Sequence, residues 1–171
     1  MNKITIIFFI FIFSINIYAK DIVGWENLKW GMSMKKVIKE SKTVIIRKEK
    51  FDNGTMLITK TMKKFEAINV MYIFLKKKLF SVVVTYQPGH NFFNVVRECN
   101  KKYGKDYLEA TTDYEDSRHI IWRLKKTIVH LKLTNMNYGP IRTSVTVYKR
   151  TKEWKEILPE SIQTLMKIYG K

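Results

Sequence analysis

The clearest signal along the chain is alternation. Apolar and polar residues trade places over 43–50, 55–62, 66–75 and 79–86, then again over 107–112, 118–124, 127–134 and 141–148. A period of two places successive side chains on opposite faces of a strand, so these eight stretches are expected to be β-strands. Ile120, Trp122 and Leu124 share one face of their strand, as do Val129, Leu131 and Leu133. Asp52, Asn53 and Gly54 form a hairpin signal between the first two runs, because Asn and Gly tolerate the positive φ of tight turns. The lysine clusters Lys63-Lys64 and Lys76-Lys77-Lys78 mark the other reversals.

Three stretches follow a helical period instead. The first, over 34–41, follows Ser33, a suitable N-cap, with Met32 placed to staple onto Val37. The second carries Phe92, Val95, Val96, Cys99 and Tyr103 on one stripe and ends at Gly104, where a helix-ending glycine belongs. The third, over about 152–169, aligns Trp154, Ile157, Leu158, Ile162, Leu165, Met166 and Tyr169, with Pro159 breaking or kinking it. A short strand over 24–30 leads into the first helix.

The order of elements repeats. Gly31-Met32-Ser33-Met34-Lys35-Lys36-Val37 aligns with Gly89-His90-Asn91-Phe92-Phe93-Asn94-Val95 at an offset of 58 residues. Gly31 and Gly89 serve the turn, Ser33 and Asn91 the cap, and Val37 and Val95 the core. The expected fold class is therefore α+β: a duplicated helix-plus-antiparallel-strands unit, helices on one face of the sheet, plus a C-terminal helix. Repeat 1 covers about 25–87 and repeat 2 about 88–150.

The N-terminus reads as a secretory signal peptide over 1–19. Lys3 is followed by an apolar run over 4–15 interrupted by Thr5 and Ser14, and Ala19 offers a small residue for cleavage. The run is short of the roughly 20 apolar residues of a spanning helix. An uncleaved anchor is the alternative, since Ile17 is bulky for the position it would hold. The expected mature protein is a single α+β domain over 20–171, periplasmic or secreted. It is not expected to be a lipoprotein, because no cysteine stands near the cleavage point.

The stretch Trp30-Gly31-Met32-Ser33-x-x-x-Val37 resembles small bacterial envelope proteins that open with a W-G-M-S/T-x-x-x-V turn into a helix. Such turns occur in outer-membrane assembly lipoproteins of the SmpA/OmlA type and in the fold group named for β-lactamase-inhibitor protein. Tyr103-Gly104, Trp122, Ile128 and Tyr148 are similar to the second half of such repeats. The resemblance implies antiparallel strands with short helices, and action by binding other proteins without catalysis. It assigns no chemical role to any residue here.

Charge enters next. Lys and Arg total 32 against 15 Asp and Glu, a formal net charge of +17. That balance suits an anionic partner such as a membrane surface. Only six of the basic residues are arginine, a bias that an AT-rich coding sequence also produces. Lys63-Lys64 and Lys76-Lys77-Lys78 bracket one strand, which spreads their charge over both ends of the sheet. Nucleic acid is not expected, because no basic track with aromatics on the same face is legible.

Candidate chemistry is sparse. Cys99, the one cysteine, stands nine residues from His90, about 13 Å along a helix, and falls on the apolar stripe as a buried thiol. His119 and His130 both alternate opposite the apolar residues of their strands, so they share one side of a hairpin and are expected to face solvent. Asp113, Glu115 and Asp116 cluster in a loop without the glycine of a calcium site. No catalytic, cofactor or metal residue is assigned. The expected function is an exported, non-enzymatic binding or assembly module of the bacterial cell envelope, its partner another envelope protein. A secreted inhibitor-like or host-facing protein and an enzyme with an unrecognised site stand as alternatives.

Overall fold

The computed structural model describes residues 24–52, 54–60, 67–88, 91–112, 117–134 and 141–151. The signal peptide, Gly89, His90, the 113–116 acidic cluster, Lys63-Lys64 and the predicted C-terminal helix lie outside them.

Two tiny strands, β1 (Gly24–Trp25) and β2 (Leu28–Lys29), open the described chain as a hairpin. A Cβ at Gly24 would run into the Leu28 carbonyl oxygen, so this close approach requires glycine. Helix α1 (Met34–Ser41) follows, then β3 (Ile45–Phe51), β4 (Gly54–Thr59), β5 (Ala67–Leu75) and β6 (Lys78–Tyr86). Helix α2 (Phe92–Tyr103) leads into β7 (Leu108–Thr112), β8 (Ser117–Arg123), β9 (Thr127–Thr134) and β10 (Arg142–Lys149).

All eight longer strands form one antiparallel sheet in the order β3-β4-β5-β6-β10-β9-β8-β7. This corrects the α+β expectation of a duplicated unit with helices laid on one face. The described residues are mostly β, with two helices. The physical reason lies in β6 and β10, each the last strand of a meander with an open edge. They pair with each other, Val84 opposite Val145 and Val82 opposite Val147, which removes two edges and fuses the strands into one sheet. The helices are too small to form a layer: α1 buries only Val37, and α2 buries Phe92, Val95, Cys99 and Tyr103.

The main core lies on one face of this sheet. Tyr72, Val82, Val147, Val129 and Trp122 meet across five neighbouring strands, each at most 0% exposed. At roughly 25 cal/mol per Å² of apolar surface, this burial dominates stability. The Trp122 indole N–H donates to the Gly104 carbonyl at 2.9 Å and lies 3.3 Å from Asn100 Oδ1, tying β8 to the end of α2. The other face carries a smaller cluster made of strand residues, Ile121 and Ile128 packed with Leu108 and Tyr148.

Candidate functional site

The turn and cap positions behave as local structure. Gly31 holds φ +86°, a left-handed value that suits glycine. Ser33 Oγ accepts from the Lys36 N–H at 3.4 Å, and Val37 is fully buried. Asn91 Oδ1 accepts from the Phe93 N–H at 2.9 Å, and Val95 is buried. These residues start the two helices.

The histidines are brought together by the β8–β9 hairpin. Its register sets Ile121 opposite His130 and His119 opposite Lys132, so His119 and His130 are diagonal neighbours on one face. Their rings stack 5° from parallel, with His119 Nδ1 2.9 Å from His130 Nε2. Ser117, two residues before His119 on the same face, places Oγ 2.7 Å from His119 Nε2. The expectation of solvent-facing histidines is corrected: Ser117 is 5%, His119 1% and His130 4% exposed. The signal that sequence reading missed is Ile121 and Ile128, which make this second face apolar beside them.

Proton accounting constrains the array. Each N···N or O···N contact needs one donor and one acceptor. Two doubly protonated rings would point N–H at N–H, so the pair cannot carry two charges. Burial lowers the His130 pKa to about 3, and the neighbouring His119 and Lys132 push the same way. His130 is therefore neutral at physiological pH. Hydroxyl, imidazole and imidazole in a row is the order by which a serine is activated as a nucleophile. Their burial shuts substrate out, and the geometry instead fits a polar network that fixes the register of β8 on β9.

Cys99 sits at 7% exposure in the main core. Burial pushes its thiol up to about 12, Lys102 opposing and Glu98 adding to the shift. A thiol held protonated is a poor nucleophile. Among the described residues no group of three or more His, Cys, Asp and Glu is placed to hold a metal ion.

The outer edge of β3 is a surface feature of another kind. Among the described residues no strand pairs with it, because β3 ends the sheet order. Val44 just before it is 65% exposed, and Ile46 and Phe51 within it are 63% and 46% exposed. A register shift between Ile45 and Arg47 bends this edge. The strand is also basic, with Arg47, Lys48 and Lys50 against Glu49. An edge open among the described residues, exposed apolar side chains and positive charge coincide here. No known protein family, curated protein or solved structure matches the chain.

Proposed function

We propose that this chain is an exported, non-enzymatic protein-binding or assembly module of the bacterial cell envelope. It acts by adding an extended, acidic segment of another envelope protein to the outer edge of β3. The observation that carries the reading is the exposure of Val44, Ile46 and Phe51 along a strand edge open among the described residues. Strand addition uses main-chain hydrogen bonds for affinity and alternate side chains for selection. Lysines on an edge repel a second copy of the same edge and favour an acidic partner. Export rests on Lys3, the apolar run over 4–15 and Ala19.

The test is a photo-crosslinking residue at Ile46 in cells, compared with one at the exposed Lys101 of α2. The reading expects a discrete adduct with one envelope protein from position 46 only. No adduct at 46, or equal adducts at both positions, counts against it. Adducts with a protein found only in the medium favour the secreted, inhibitor-like alternative.

A second reading, an enzyme, is favoured by the Ser117–His119–His130 order alone. A fluorophosphonate probe that labels Ser117 in the native protein would support it.

A further inference from the structure

The antiparallel topology gathers basic turns at one end of the sheet. Strands β5 and β6 join there through Lys76 and Lys77, with Lys78 starting β6. Strand β10 ends beside them, since Tyr148 pairs with Ser81, and its continuation brings Lys149 and Arg150 to the same end. Lys149 pairs with Thr127, and the Arg150 N–H donates to the Lys126 carbonyl at 2.9 Å, which places the β8–β9 turn with Lys125 and Lys126 alongside. The two lysine turns are three strand spacings apart, about 14 Å. An anionic group midway between the turns therefore lies within about one Debye length of both at physiological salt. Asp52 and Asp106 stand at the two corners of this end, in the β3–β4 turn and ahead of β7. Lys63-Lys64, expected at the other end of the sheet, lie outside the described residues; at this end the lysine turns of two hairpins and the end of β10 come together.

Two local features go against backbone preference to place positive charge here. Lys76 and Lys77 hold φ +48° and +63°, the two left-handed positions of a tight hairpin turn that Asn and Gly fill more easily. Helix α1 starts at this end, where Ser33 bridges to Lys78, and carries Lys35 and Lys36 in its first turn with no acid. A helix N-terminus prefers the opposite sign. Beside them Trp30 is half-buried and anchored by its indole N–H on Thr127 Oγ1 at 3.0 Å.

We propose that this end of the sheet is a docking surface for an anionic lipid membrane. The turn tips lie along the sheet end and meet a plane together, whereas a single-stranded nucleic acid is held in a groove lined with stacking aromatics. Lysine supplies point charges to phosphate headgroups without the fixed fork of arginine, and tryptophan suits the headgroup level. This surface is separate from the β3 edge, and its test does not depend on the protein partner.

The experiment is co-sedimentation of the full chain with phosphatidylcholine vesicles, with and without phosphatidylglycerol. The N-terminus with Lys3 is the same in every variant, so the effect of the sheet-end charge is read by comparing the ratio between variants. Lys76→Gln/Lys77→Gln/Lys125→Gln should lower that ratio about a hundredfold, taking about fivefold per lysine near an anionic surface. Lys42→Gln/Lys60→Gln/Arg142→Gln, which removes the same charge at the opposite end, should lower it far less. The triple Lys→Arg variant at 76, 77 and 125 should keep binding, which separates lost charge from lost folding. Equal losses in both charge variants, no preference for phosphatidylglycerol, or tighter binding to duplex DNA through the same lysines would overturn the proposal.

Discussion

His119 Nδ1 and His130 Nε2 lie 2.9 Å apart in a buried stack, and one of the two nitrogens must be unprotonated. The linkage follows in sign. His130 titrates near 6.5 when unfolded and at about 3 when folded, so the unfolded state binds more protons between those values. Its contribution is complete above pH 6.5 and is lost as pH falls through this window. At pH 5 the loss is about 2 kcal/mol. Urea unfolding at pH 7.5 and 5 should show it, and His130→Asn should reduce the difference between the two pH values.

Trp122→Phe keeps most of the buried ring but removes the donor to the Gly104 carbonyl. The expected cost is about 1–3 kcal/mol, because the carbonyl at the end of α2 loses its partner. Trp122→Ala should cost about 3–5 kcal/mol. Chemical denaturation of both variants checks the order.

Cys99 should react slowly with a thiol reagent in the native protein and fast in denaturant, since its thiol is buried and pushed up to about 12. Cys99→Ala should lower stability by about 1 kcal/mol and leave partner capture unchanged. Rapid native labelling at neutral pH would contradict the burial.

Much of the strand layout was legible in the sequence, because alternation survives wherever one face is buried. The run 127–134 is β9 to the residue, and 118–124 differs from β8 by one residue at each end. Ser33 and Asn91 were legible as caps because capping is a local interaction. The fold class was not. Whether β6 finds β10 is a long-range pairing with no local mark, and it decides between two units and one sheet. The histidine stack was missed for a related reason: burial of the second face depends on Ile121 and Ile128, which read as neighbours of polar positions and not as a cluster. The convergence of Lys76, Lys77 and Lys125 likewise needs the pairing of β10 with β6 and β9, which sets two hairpin turns side by side.

Gly24→Ala tests the opening hairpin. The new methyl would meet the Leu28 carbonyl oxygen, so β1 and β2 must part and Trp25 must leave its edge-on contact with Tyr72. A loss of about 1–3 kcal/mol is expected, as for overpacking. Unchanged stability and unchanged Trp fluorescence would refute this account of the hairpin.

The central claim is that β3 adds a partner strand at its outer edge. Amide hydrogen exchange of the chain, alone and bound to the envelope protein captured at position 46, measures it most directly. Protection should rise across Ile45–Phe51 while the amides of β7, the other edge, stay unchanged. Protection confined to the helices or to β7, with β3 exchanging as fast as in the free chain, would contradict it.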